Sequence, residues 1–171
     1  MIRPRPRARG FTLFELVVVI LVFSVLVAVL LERLLYLHEM AEKAAMESTL
    51  SGIKTGLQVR LAEMIIANRE AEAKTLESQD PVRWLDEGKP SNYGGEYGEQ
   101  PVAGTWYFDG RERELVYVVN TGGRLEIDGQ GAQNELRFRV RLLTSPVQLP
   151  GGADQRTSGV GLAPVRPYRW R

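Results

Sequence analysis

The sequence predicts an α+β protein in which a long amino-terminal helix, membrane-spanning in its first half, packs by its second half on an antiparallel β-sheet. The first observation is an apolar run at residues 11–31, after which no proline occurs before residue 81. The second is a change in composition: fourteen of the seventeen glycines lie between residues 88 and 161. There the apolar residues begin to alternate, which indicates strands rather than a helix.

Length, charge and cysteine content exclude several classes of protein. With 171 residues, 22 of them basic and 21 acidic, the chain has room for one modest domain and an appendage. The absence of cysteine excludes a disulfide framework, CxxC zinc sites and thiol catalysis. Four arginines (Arg3, Arg5, Arg7 and Arg9) precede the apolar run, and by the positive-inside rule that end stays in the cytoplasm.

The apolar run has the length of a single membrane span. Residues 11–31 form a helix of roughly 31 Å, about the thickness of the hydrocarbon core of a bilayer. No A-x-A-like site follows the run, which disfavours a secretory signal peptide. A plain single-span anchor explains the arginines and the length, but it leaves Gly10 and the acidic Glu15 unexplained.

The stretch RGFTLFELVVVI (residues 9–20) resembles the amino-terminal motif of type IV pilin-like proteins, namely pilins, the pseudopilins of type II secretion and their minor relatives. In that family a basic leader ends in Gly, a membrane peptidase cuts after it, the new first residue is N-methylated and the fifth is Glu. The resemblance implies cleavage between Gly10 and Phe11, methylation of Phe11 and a role in assembly for Glu15. It covers only about the first thirty residues.

The resemblance also implies partners and a location. Glu15 of an incoming subunit would meet the amino terminus of a subunit already in the filament, because each charge alone is costly in hydrocarbon. The implied partners are a prepilin peptidase and N-methyltransferase, the membrane, and other pilin or pseudopilin subunits. The implied location is the bacterial inner membrane, with a cytoplasmic amino terminus and a periplasmic domain, and then a pilus or pseudopilus. A pseudopilin or minor pilin is favoured, since the chain lacks the cysteines of a disulfide-closed carboxy-terminal loop.

Beyond the membrane the helix is expected to become amphipathic, with its apolar residues at steps of three or four. These residues are Met46, Leu50, Ile53, Leu57, Leu61 and Met64. Gly52 and Gly56 interrupt this segment and allow bending or close packing. Strands are expected on both sides of an Asp109-Gly110 turn, at residues 124–128 and at residues 135–143. Residues 115–119 are apolar on both faces and hence central.

These patterns divide the chain into six consecutive segments. They are a basic leader (1–10), a transmembrane and assembly helix (11–33), an amphipathic continuation (34–73), a connecting loop region (74–103), the antiparallel sheet (104–143) and a carboxy-terminal tail (144–171).

No group of residues indicates catalysis, so a non-enzymatic protein without cofactor or metal is expected. The single histidine, His38, lies on the helix without cysteine partners and is interpreted as a solvated residue. No nucleophile elbow or phosphate-binding loop is present. Asp80, Asp109 and Asp128 lie outside any ligand-rich calcium loop and are interpreted as turn residues.

Two basic stretches leave DNA binding as an alternative function. Arg137, Arg139 and Arg141 share the outward face of a strand whose inward residues are Phe138, Val140 and Leu142. The end of the chain, RPYRWR, interleaves arginines with Tyr168 and Trp170. DNA is nevertheless an unlikely partner, because outward arginines on a strand usually face solvent and block edge pairing. Contact with a neighbouring subunit is the preferred interpretation of the aromatic tail, and a single-span anchored binding domain is the other alternative.

Overall fold

The computed structural model describes residues 12–85, 88–129, 131–149 and 152–171. The leader and Phe11 lie outside the described residues. Helix α1 (Leu13–Ile66) is 54 residues long, and the chain divides after His38 into two units. The first contains the apolar part of α1, and the second, from Glu39 onward, contains the rest of α1 and all of the described strands. The predicted α+β layout is confirmed.

Helix α1 ends earlier than the predicted limit of residue 73. Asn68 adopts a left-handed backbone with φ of 56°, and two amides close the helix end. Arg69 N donates to Met64 O at 2.8 Å and Asn68 N to Ile65 O at 3.0 Å. This pair of bonds is a Schellman motif, in which asparagine takes the place of the usual glycine. A 3-10 helix follows at Glu70–Glu77.

The predicted inward face of the second half of α1 is confirmed. Met46, Ile53, Leu57, Leu61 and Met64 are buried, and Leu50 packs against them. They form one core with side chains of the sheet, in which the rings of Trp106 and Tyr117 lie 4.7 Å apart between centroids. Burial of this face supplies the stability that helix propensity alone does not.

The sheet contains five strands in the order β1-β2-β3-β5-β6. Strand β1 pairs parallel with β2, and the remaining neighbours are antiparallel. All five residues of β3 are buried, as predicted for a central strand. The strands are β1 (Tyr93–Glu96), β2 (Thr105–Asp109), β3 (Glu114–Val118), β5 (Glu135–Leu149) and β6 (Gly152–Pro164). The predicted strand near residue 125 is β4 (Leu125–Ile127), which pairs instead with β7 (Tyr168–Trp170) in a separate two-stranded sheet.

The prediction that residues 144–171 form a tail is wrong. They contain the second part of β5, all of β6 and all of β7. Strand β5 continues to Leu149 and pairs with β6 from Phe138 opposite Pro164 to Leu149 opposite Gly152. The glycines and prolines of this region suggested a loop, but β6 is an edge strand, where both residue types are tolerated.

The turn between β2 and β3 was correctly located but is longer than an Asp-Gly hairpin turn. Asp109 is paired with Glu114, so four residues connect the strands. The Asp109 carboxylate accepts hydrogen bonds from the amides of Arg111 and Glu112, both at 3.1 Å. Arg113, rather than Gly110, has the positive φ, 57°.

The connecting region 74–103 is more structured than predicted. It contains a 3-10 helix at Pro81–Trp84, which Asp80 caps by accepting from Val82 N at 3.0 Å, and strand β1. The carbonyl of Trp84 lies against Gly56 of α1, where an added Cβ would be 1.9 Å from the oxygen. Gly56 therefore serves close packing, one of the two roles expected for it.

Replacing Gly56 by alanine tests this contact. Because the clash involves backbone, we expect Gly56→Ala to lower the free energy of unfolding by about 2 kcal/mol or more, despite a gain of about 1 kcal/mol in helix propensity. Gly52→Ala is the matched control, since its Cβ would meet only the flexible tip of Leu85 at 3.1 Å. Chemical denaturation of the detergent-solubilised protein, followed by circular dichroism, measures both. Equal stabilities of the two variants would contradict the proposed backbone contact.

Candidate functional site

The first turn of α1 presents the predicted assembly residue. Thr12 caps the helix, since its Oγ1 accepts from Glu15 N at 3.2 Å and its carbonyl accepts from Leu16 N at 3.1 Å. Thr12 and Glu15 thus have the spacing of a capping box, and a carboxylate at this position interacts favourably with the helix dipole. The cap at Thr12 therefore satisfies the backbone amide of Glu15.

The carboxylate of Glu15 has no direct bonding partner in the fold. Its side chain is exposed, and within the described part of the chain it has neither a hydrogen bond nor an ion pair. Gly10 and Phe11, the predicted cleavage and methylation sites, lie outside the described residues. The structure therefore describes one of the three predicted site residues.

An apolar surface surrounds Glu15 along the helix. The large apolar side chains between Leu13 and Leu37 are exposed, and among the described residues α1 is the one helix long and apolar enough to cross a membrane. Ser24, the polar residue between Leu16 and Leu31, donates from its hydroxyl to the carbonyl of Ile20 at 2.8 Å. The hydroxyl of Ser24 is thereby hydrogen-bonded within the helix, as a hydrocarbon environment requires.

Other side chains that could carry chemistry do not form a site. His38 is exposed. Within the ranges that the structure describes, no group of three or more His, Asp or Glu side chains could hold a metal ion. Asp80 caps the 3-10 helix and also accepts from the hydroxyl of Tyr93 at 2.7 Å. Burial, followed by this bond to Asp80, raises the pKa of Tyr93.

The arginines of β5 face outward as predicted, but two of them are engaged in ion pairs. Arg137 contacts Asp109 at 3.1 Å, Glu114 at 3.3 Å and Glu135 at 3.1 Å. Arg139 contacts Glu114 at 2.6 Å. The acidic partners were not predicted from the sequence, because they lie on other strands or two residues away. The suggestion that these arginines block edge pairing is wrong, because β5 lies between β3 and β6.

The aromatic end of the chain also differs from the expected interaction surface. Trp170 is buried, and its Nε1 donates to Glu39 at 3.0 Å. Tyr168 is half-buried, with its ring edge-on to Phe138 at 6.1 Å. Trp170 belongs to the core and is not available to stack on a base or on a neighbouring subunit.

Comparison with known proteins identifies the amino-terminal segment. Residues 5–31 match the family model of the prokaryotic N-terminal methylation motif. No curated protein and no solved structure matches the chain. The match includes Gly10, Phe11 and Glu15, and together with the long apolar helix it supports a type IV pilin-like protein. The motif is that of a family of structural subunits.

An ion-pair cluster on the sheet joins Arg137 and Arg139 to three carboxylates, those of Asp109, Glu114 and Glu135. We expect acid to weaken this cluster and so to lower the stability of the protein. Burial alone would raise the pKa of Asp109, but bonds from Glu112 N, Arg137 and Arg111 N outweigh it and lower the pKa. A depressed pKa in the folded state means that the contribution of Asp109 is present above about pH 4, the unfolded value, and lost as the pH falls through the folded value.

We therefore expect Asp109→Asn to be less stable than the wild type at pH 7 and to lose less stability on acidification below about pH 4. Urea denaturation at a series of pH values measures this difference. Glu112→Gln, which removes an exposed carboxylate from the same turn, is the control. Parallel pH profiles of Asp109→Asn and the wild type would contradict the assignment.

Proposed function

We propose that the chain is a non-enzymatic subunit, a minor pilin or a pseudopilin, of a type IV pilus or a type II secretion pseudopilus. It would be cut between Gly10 and Phe11 and methylated at Phe11. It would then lie in the inner membrane with its amino terminus in the cytoplasm and the unit from Glu39 in the periplasm. Subunits would join through their amino-terminal helices. The match to the methylation motif at residues 5–31 supports the processing step.

The observation that carries this proposal is the unpaired carboxylate of Glu15 on an exposed apolar helix. An ionised side chain near hydrocarbon is costly, and such residues are usually paired and functional. Cleavage after Gly10 would create a cationic amine at Phe11, which keeps its charge after one methylation. The amine of one subunit and Glu15 of the next would then neutralise each other. An uncleaved leader, with four arginines, would prevent this contact.

An ordinary single-span anchor would share the apolar helix but would need neither cleavage nor pairing. DNA uptake receives less support than it did from the sequence. Arg137 and Arg139 are held by carboxylates, and Trp170 is buried. Experiments on Phe11 and Glu15 therefore separate the subunit from the anchor.

Processing is tested by the mass of the mature chain. The protein is isolated from membranes that contain a prepilin peptidase, and its intact mass and amino-terminal sequence are determined. We expect a chain that begins at Phe11 and carries one methyl group. Gly10→Val, which adds a branched side chain at the cleavage position, should leave the leader attached. A wild-type chain that still begins at Met1 would contradict the proposed processing.

Assembly is tested by removing one charge from the helix. Glu15→Gln keeps the size of the side chain and the backbone bond to Thr12, but it leaves the neighbouring amine unpaired. A cost of about 2.5 kcal/mol for that amine in the membrane corresponds to more than a tenfold loss of incorporation into sheared filaments. Insertion into the membrane should not change, and the yield of processed chain checks this.

The matched control is Glu32→Gln, which removes an exposed carboxylate from the other end of the apolar stretch. We expect its incorporation to equal that of the wild type. Equal incorporation of Glu15→Gln and Glu32→Gln would exclude the pairing, even if processing were normal.

A further inference from the structure

The two-stranded sheet of β4 and β7, here named the strap, is held against α1 by polar contacts as well as by apolar packing. Glu39 of α1 accepts from Trp170 Nε1 at 3.0 Å and from Arg124 N at 2.7 Å. One turn later, Lys43 Nζ donates to the carbonyl of Trp170 at 2.8 Å. Two residues of α1 therefore bind Trp170 of β7. Glu39 binds its side chain, and Lys43 binds its backbone carbonyl.

A neighbouring carboxylate fixes the loop that leads into the strap. Glu42 accepts from Asn120 N at 2.6 Å, from the amide and hydroxyl of Thr121, and from the hydroxyl of Tyr117 at 3.0 Å. Burial, and then the nearby Glu42 carboxylate, raise the pKa of Tyr117, so this hydroxyl remains a donor. We name Glu39, Glu42 and Lys43 the polar clasp.

Apart from the clasp, the strap is supported by the packing of its apolar side chains and not by strand pairing. Each of its strands has three residues, and neither strand pairs with the five-stranded sheet. An isolated two-stranded sheet is marginal in water. Its apolar anchors are Ile127 and Trp170, both buried, with Leu125 and Tyr168 packed against the same core.

Holding the strap through buried polar groups carries a desolvation cost. Glu39 is buried, with 6% of its surface exposed, and a buried charge is stable only while its partners remain in place. Apolar residues of the same size would hold the strands without this requirement. Polar groups of this kind instead favour one register, because a helix rotated by one residue would leave Glu39 and its donors unpaired.

From these observations we propose that the strap is a conformational device, closed by the polar clasp, which opens as one unit before the rest of the domain unfolds. Opening would break the contacts of Glu39 and Lys43 with Trp170 together, since both depend on the position of β7. It would expose the apolar side chains of Ile127 and Trp170. The five-stranded sheet would keep its own pairing. This inference concerns the unit from Glu39 and does not depend on the proposed function.

Hydrogen exchange measured by mass spectrometry on the full chain in detergent micelles tests the proposal. The reporters are amides whose bonds exist only while the strap is closed, such as Asp128 N to Pro167 O at 3.0 Å and Arg171 N to Arg124 O at 3.3 Å. The reference is the amides of β2 and β3. Sub-global opening exposes the first set without the second.

Trp170→Phe removes the donor to Glu39, and we expect it to accelerate exchange in the strap about tenfold or more. Exchange in β2 and β3 should not change. The control is Glu126→Gln. Glu126 lies in the strap, and its exposed carboxylate forms only long surface ion pairs, at 4.0 Å with Arg169 and 3.8 Å with Arg171. Such surface pairs contribute little, so its exchange should match that of the wild type.

Two further variants keep the test decisive if Trp170→Phe fails to fold. Glu39→Gln retains an acceptor but loses the charge, and Lys43→Met loses the donor to the Trp170 carbonyl. Both should accelerate exchange in the strap alone, by smaller factors than Trp170→Phe. Acceleration by the same factor in the strap and in β2 and β3, or no acceleration in any clasp variant, would overturn the proposal.

Discussion

The structure depends on α1, a helix that carries two surfaces with different requirements. Before His38 the large side chains are apolar and exposed, and after it one face is buried against the sheet. A lipid environment demands that backbone groups be satisfied within the helix itself, whereas the aqueous part gains its stability from packing. Thr12 caps the beginning of α1 and Asn68 closes its end.

The features that could be predicted from the sequence are those that the local spacing of apolar residues indicates. The inward face from Met46 to Met64 and the burial of residues 115–119 follow from spacings of three or four and from a continuous apolar run. The helical segment was extended to residue 73, beyond the end of α1 at Ile66, and strand β6 was missed, each for a physical reason. Asparagine in the left-handed conformation carries a weaker signal than glycine, and an edge strand tolerates residues that would exclude a central one.

The hydrogen-bond and ion-pair partners of the buried carboxylates could not be predicted, because they depend on how distant elements are aligned. Glu39 and Trp170 are 131 residues apart, and the contact between Glu114 and Arg139 follows only when β3 and β5 are aligned with Leu115 opposite Phe138. The sequence shows the arginines of β5 as an exposed cationic stripe, and the register turns two of them into members of an ion-pair cluster. Charge alternation on a strand therefore indicates which face is outward, but it does not indicate whether that face is free.

Glu15 is exposed and, unlike these carboxylates, has no partner among the described residues. Glu39, Glu42 and Glu114 each bind donors of the same chain, so the fold itself explains why an acid occupies each position. At Glu15 the fold uses only the backbone amide, which any residue except proline would supply at this position. The helix dipole favours an acid at this position, but an ionised side chain near lipid is costly, so the proposed function assigns Glu15 a partner in another subunit. The amine that cleavage would create at Phe11 of a neighbouring subunit would carry the opposite charge, which is why the proposed function assigns the pairing to these two groups.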